Sequence, residues 1–170
     1  MAQQYLIGSG PMPTTASFAT LATGTNIITL LQVKASATAT LKIIEWGISF
    51  DGSAAATPIK VELCETDVAA TVTASASADL MKYNAEALSG GDPTTNLIPV
   101  GTSSTGYNAS AEGTITTVRE FDIQLIAPTN QYVKQFPLGR EPVIQVSKFA
   151  RIRVKAGTGV NAYAYMVVEV

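Results

Sequence analysis

The sequence predicts an all-β protein: an antiparallel β-sandwich, jelly-roll-like, of about eight strands, with an extended N-terminal arm and one long loop. Three observations predict it. Segments of alternating apolar and polar residues recur along the chain, separated by Gly, Pro, Asn and Asp turn signals. No long helix is indicated, and no fixed-period repeat points to a propeller or a solenoid. The Cys–Trp–Cys spacing of an immunoglobulin domain is absent, since Cys64 is the only cysteine. A closed barrel is the other architecture the pattern allows. The 170 residues suit one domain. Its expected parts are an arm over 1–24 and a sandwich over 25–170, with an irregular insertion at about 79–113.

The elements follow in order. In residues 1–24, Gly8, Gly10, Pro11 and Pro13 break regular structure, leaving at most a short strand at Tyr5–Ile7 on an arm that lies on its own domain or a neighbour. Residues 25–33 (TNIITLLQV) are apolar on both faces, as in a strand covered on both sides. Residues 41–52 (LKIIEWGISFDG) place Ile44, Trp46, Ile48 and Phe50 on one face. Burying those four contributes roughly 6–12 kcal/mol before entropy is charged. Asp51-Gly52 marks a turn, and Ile59, Val61 and Leu63 alternate with Lys60, Glu62 and Cys64 in the next strand. These two strands are expected to pair across the loop 51–57. Residues 71–78 read as a weak edge strand or loop. Residues 80–88 suit one or two helical turns, stopped by Gly90-Gly91-Asp92-Pro93, and 94–113 is loop-like.

Residues 114–127 return to strand, with Phe121, Ile123 and Leu125 expected inward and Glu120, Asp122 and Gln124 outward. In FARIRVK (149–155), Ile152 and Val154 point inward and Arg151, Arg153 and Lys155 outward. The last strand, 161–170, has Tyr163 and Tyr165 on one face and Met166, Val168 and Val170 on the other. Between these elements sits QFPLGREPV (135–143), where Pro137 and Pro142 bracket a turn and Gly139 can take a positive φ. It reads as a corner joining two sheets. Arg140 and Glu141 are its adjacent opposite charges, either paired with each other or nearby groups, or anchoring a neighbouring subunit.

Composition bounds the chemistry. Charged residues make up only 14% of the chain, so Thr, Ser, Ala, Gly and Asn must cover much of its surface. That suits close packing against other protein, or a neutral secreted or viral β-protein. Net charge is −2 without a basic stripe, so no nucleic-acid partner is expected. No apolar run approaches the ~20 residues of a membrane helix, and no basic n-region marks a signal peptide. Cys64 suits a small buried residue. The absence of histidine removes the Ser-His-Asp and Cys-His schemes and the usual zinc sites. Glu62 and Glu65 point to opposite faces of one strand, while Glu45 and Asp51 lie roughly 20 Å apart. A glycosidase would therefore need carboxylates from different strands. The turns at Asp51 and Asp92 lack the acidic density of a calcium loop. Asn108-Ala109-Ser110 is a glycosylation sequon only on a secretory route. Tyr107, Tyr132, Tyr163 and Tyr165 suit core or interface packing, or a sugar platform. No enzyme activity, cofactor or metal is expected.

The segments LKIIEWGISFDG and QFPLGREPV, with the Pro13-Thr14-Thr15 arm and a final strand running to the C-terminus, resemble the capsid decoration (cement) proteins and related virion β-sandwiches of tailed bacteriophages. The resemblance covers most of the chain in layout and is distinctive only in those two short segments. It implies a non-enzymatic virion protein that oligomerises, often as a homotrimer. Such a protein binds the major capsid protein lattice at the capsid surface and stabilises it after synthesis in the host cytoplasm. A tail-fibre or head-fibre module binding a receptor or carbohydrate is the alternative. Expected contacts with capsid or neighbouring copies are Tyr5, Ile7, Pro11, Pro13, Asp92, Tyr107, Tyr132, Arg140 and Glu141.

Overall fold

The computed structural model describes residues 3–53, 57–83 and 97–170. It is a β-sandwich of two antiparallel sheets, as the period-two segments predict. In chain order the strands are β1 (Gln4–Gly8), β2 (Leu21–Ala22), β3 (Ile28–Lys34), β4 (Leu41–Asp51), β5 (Ile59–Thr66), β6 (Thr71–Ala74) and β7 (Leu80–Lys82). Then come β8 (Gly106–Ala111), β9 (Val118–Ile126), β10 (Gln131–Gln135), β11 (Val143–Ile144), β12 (Phe149–Lys155) and β13 (Asn161–Glu169). The first sheet runs β10-β4-β13-β1-β7, with β11 also on β4 and β2 on β13. The second runs β6-β8-β3-β12-β5-β9. Free edges β10 and β9 are consecutive in the chain, so they lie on the same side of the sandwich.

The core fills the space between the sheets. Trp46, Ile48 and Phe50 from β4 and Ala162, Ala164, Met166 and Val168 from β13 meet Val61, Leu63, Ile152 and Val154 from the second sheet. The expected face of β4 changes partway along. Glu45 pairs with Val167 and Ile43 with Val168, so Ile44 is an extra residue in a bulge. Leu41 and Ile43 point inward before it, and Ile44 is only half-buried. β3 is buried on both faces, as its two-sided apolar pattern predicts.

Several expectations are corrected. The described residues of the expected arm, 3–24, do not form one. β1 lies between β13 and β7, pairing Tyr5 with Val168 and Ile7 with Met166, and both side chains are fully buried. QYLIG is too short to announce this locally; its neighbours come from far along the chain. Tyr5 and Ile7 are therefore core residues, unavailable for contact with another molecule. Only 11–20 is exposed throughout, carrying Pro11 and Pro13. β4 and β5 do not pair with each other but lie in opposite sheets. The 79–113 insertion is less irregular than expected: Leu80–Lys82 extends the first sheet beside β1, and Gly106–Ala111 joins β3 to the edge strand β6. Thr71–Ala74 is the edge strand its sequence suggests. The rest of the expected helical turn, with Asp92, lies outside the described residues.

The corner between the sheets also moves. β10 and β11 both pair with β4, so the chain stays in the first sheet through Pro137–Pro142. It crosses to the second sheet at residues 145–148, where the Lys148 N–H donates to Gln145 O at 3.0 Å and Ser147 adopts φ +62°.

These placements set an expected outcome. Ile7→Ala should lower the unfolding free energy by about 2–5 kcal/mol in urea titration, as for a core truncation. Deleting 2–20, harmless if this were an arm, should abolish cooperative unfolding.

Candidate functional site

The seam between the free edges β9 and β10 is polar. Tyr132 Oη donates to Asp122 Oδ2 at 2.9 Å, Gln124 Nε2 donates to Asp122 Oδ1 at 2.7 Å, and Lys134 Nζ lies 3.3 Å from Asp122. Burial, then the Asp122 carboxylate, push Tyr132 up to about 12. The Tyr132 ring packs against Trp46 in a tilted arrangement, centroids 5.2 Å apart. Tyr132, expected as a contact residue, is thus tied into the sandwich edge.

This seam reverses the expected face of β9. Glu120 pairs with Cys64 and Asp122 with Leu63, so Phe121 is the extra residue of a bulge. Beyond it Asp122 and Ile126 are buried, while Ile123 and Leu125 are 66% and 69% exposed. The FDIQL pattern carries no local mark of the inserted residue. Its only hint is a carboxylate within reach of the tyrosine and lysine of the next strand.

Outside the second sheet lie rows of charge. Arg151, fully buried, donates from Nη1 to Glu112 O at 3.1 Å and to Glu112 Oε2 at 3.2 Å, and from Nη2 to the Val68 carbonyl. Beside it Gln32 accepts the Ala70 N–H at 2.7 Å and donates to Ser104 O at 2.6 Å. The segments around 68–70 and 112 therefore cover this part of the face. Asp67 accepts hydrogen bonds from the Thr116 and Thr117 N–H groups and the Thr116 hydroxyl, which hold its carboxyl down to about 2. One row along, Arg153 Nε lies 2.7 Å from Glu62 Oε1 with its N–H directed away, and Nη2 is 3.6 Å from Glu120. Burial raises Glu120, with a further push from Glu62. Buried Cys64 is pushed up to about 12 by burial, so it stays a thiol.

Past Arg153 the face is bare. Lys60 and Lys155 stand directly opposite each other on β5 and β12, both exposed and, among the described residues, without an ion-pair partner. Leu125 flanks Lys60 and Ile123 flanks Glu62. With Ile27 they line a groove of about 490 Å³.

The Pro137–Pro142 segment is a knob on the edge of the first sheet. The chain leaves β4 at Phe136, whose N–H donates to Ile44 O, and returns at Pro142, whose carbonyl accepts the Ile43 N–H, both at 2.9 Å. Between them the Arg140 N–H donates to Pro137 O at 2.9 Å and Gly139 has φ +82°, a tight turn needing glycine at that position. Leu138 at its tip is 97% exposed. Arg140 is exposed and Glu141 half-buried; they do not pair with each other and have no ion-pair partner among the described residues. A clamp holds the base: Arg119 binds Glu65 through Nε and Nη2 at 2.7 and 2.6 Å and reaches Val143 O at 2.7 Å. Glu65 also accepts the Gln145 N–H at 2.7 Å.

On the outer face of the first sheet, the Tyr163 hydroxyl end reaches over Gly8 and the Tyr165 ring over Gly47; a Cβ at Gly8 would come within 2.3 Å of the Tyr163 hydroxyl and one at Gly47 within 2.4 Å of the Tyr165 ring. Tyr165 Oη donates to Glu45 at 2.6 Å, and Phe18 packs against Tyr163 in a tilted arrangement, centroids 4.9 Å apart. Phe18 and Tyr83 are exposed.

Of the expected contact residues, the structure places Arg140 and Glu141 together on the knob and leaves Pro11 and Pro13 on an exposed loop. Tyr107 is half-buried in β8. Sequence reasoning missed Leu138, Ile123, Leu125, Lys60 and Lys155. Among the described residues no helix is long and apolar enough to cross a membrane, and no group of three His, Cys, Asp or Glu could hold a metal ion. Comparison with family models, curated proteins and solved structures gives no match.

Two outcomes follow from the charge rows. Glu112→Ala removes the carboxylate from a buried guanidinium and should cost about 3 kcal/mol of unfolding free energy. Asp67 sits below its ordinary value of 3.8, so its contribution is present above about pH 4 and lost as pH falls through about 2. The urea midpoint of Asp67→Asn should therefore lie below wild type at pH 6 and converge with it towards pH 2.

Proposed function

We propose that the chain is a structural virion protein. It decorates the capsid of a tailed bacteriophage, binding the major capsid protein lattice as an oligomer, a homotrimer in the reading the resemblance implies. The observation that carries this is Leu138. A large apolar side chain, 97% exposed, is held out on a turn locked by Pro137, Gly139 and a clamped base. An ordered apolar projection is suited to insertion into another protein. The low-charge surface and the resemblance of LKIIEWGISFDG and QFPLGREPV support the same reading. We also read the frame as a jelly roll. The eight principal strands form β10-β4-β13-β1 and β3-β12-β5-β9, each sheet adding strands from both halves of the chain. On a lattice, many individually weak contacts gain avidity.

A second reading, a carbohydrate- or receptor-binding module on a fibre, is favoured by one observation: Tyr163 and Tyr165 reaching over Gly8 and Gly47 beside exposed Phe18 and Tyr83. Quantitative mass spectrometry of purified virions separates the two. Decoration predicts a fixed, high ratio of this chain to the major capsid protein, and capsids that rupture at lower temperature without it. A handful of copies, with glycan affinity lost in Tyr163→Ala, would support the fibre module. Absence from virions would remove both.

A further inference from the structure

We propose that the chain assembles head to tail, the Leu138 knob of one copy seating in the groove between Ile123, Leu125, Lys60 and Lys155 of the next. The proposal deepens the oligomeric part of the function proposed above and is independent of the capsid.

The two features complement each other. The knob presents an aliphatic side chain, with the exposed Arg140 two residues on and the half-buried Glu141 three residues on. The groove presents aliphatic walls, Ile27 included, beside two lysines that face each other across adjacent strands, with the Glu62–Arg153 pair one row along, so Glu141 can face the lysines while Arg140 faces Glu62. Like charges directly opposite in a sheet are unfavourable, and a carboxylate placed between them relieves the repulsion. The chain already docks a carboxylate in this manner on the same face, where Glu112 covers Arg151.

Geometry makes the contact intermolecular. The base of the knob is fixed at the start of β9 by Arg119, whereas the groove is at its end. From Arg119 to Leu125 the strand runs roughly 20 Å at about 3.3 Å per residue. Knob and groove lie on different surfaces of one copy and cannot meet within it. A contact between two different patches is heterologous, and it closes into a ring when its rotation divides a full turn. A homotrimer is one such ring.

The test uses the full chain. Leu138→Ser removes the apolar tip of the knob, and the double variant Lys60→Glu, Lys155→Glu disables the groove; all three positions are exposed, and matched urea midpoints verify that both variants fold. Native mass spectrometry should find wild type as a closed oligomer and each variant as a monomer. Mixed in equal amounts they should form a 1:1 dimer, because one functional knob and one functional groove remain. Wild type that stays monomeric overturns the proposal, and leaves the groove to an acidic, aliphatic segment of another protein. Oligomers unchanged in either variant, or a mixture that stays monomeric, also overturn it. Because the readout is mass in solution, its failure is distinct from a failure to find the chain on virions.

Discussion

Asp122 accepts hydrogen bonds from Tyr132 and Gln124 and the charge of Lys134 across the seam where the two sheets meet at their free edges. Charge-assisted contacts of this kind contribute roughly 1.5–3 kcal/mol each. Exposing Ile123 and Leu125 forfeits about 1.5–3 kcal/mol apiece. The polar seam is of the same size as the loss, and the extra residue at Phe121 lets β9 turn its carboxylate inward while remaining paired with β5. The outward aliphatic pair and the groove beside it are consequences of that constraint. Burial of the same pair against another molecule would recover the forfeited free energy.

The outer face of the second sheet is divided in two. Over Arg151 and Gln32 the chain covers itself with the segments around 68–70 and 112, pinned by Asp67. Over Lys60 and Lys155 it does not. The covered half shows how this surface accepts a carboxylate, and the bare half keeps two cations facing each other with aliphatic neighbours. The knob is on the opposite sheet's edge, held rigid by the Arg119–Glu65 clamp that also fixes the crossing at Gln145. A rigid projection loses little conformational entropy on docking.

Much of the sandwich was legible in the sequence because period-two alternation is a local signal. It placed Val61 and Leu63 in β5, Ile152 and Val154 in β12, and the opposed faces of β13. Where a bulge inserts one residue, as at Ile44 and Phe121, the same alternation assigns the wrong face on one side of the insertion. The short strand at Tyr5–Ile7 was legible, but its place in the sheet was hidden for another reason: five residues ending in glycine look like part of an arm until β13 and β7 take them in. The glycine turn at Gly139 was legible, because its backbone requirement is local. Its role was not. Whether it joins two sheets or projects from one depends on β10 and β11 sharing β4, a long-range pairing. Arg140 and Glu141 were visible as the charges of that turn, whereas Leu138 stands out only once its exposure is known.

The central claim is that the projecting turn and the outward face of β9 are the two halves of one contact. Amide hydrogen exchange of wild-type protein across a range of concentrations tests it most directly. The account predicts that peptides covering 122–126 and 137–142 slow together as concentration rises, with the same midpoint, while the peptide covering 11–20 does not change. Exchange independent of concentration in both segments, or protection that develops in one without the other, would contradict it.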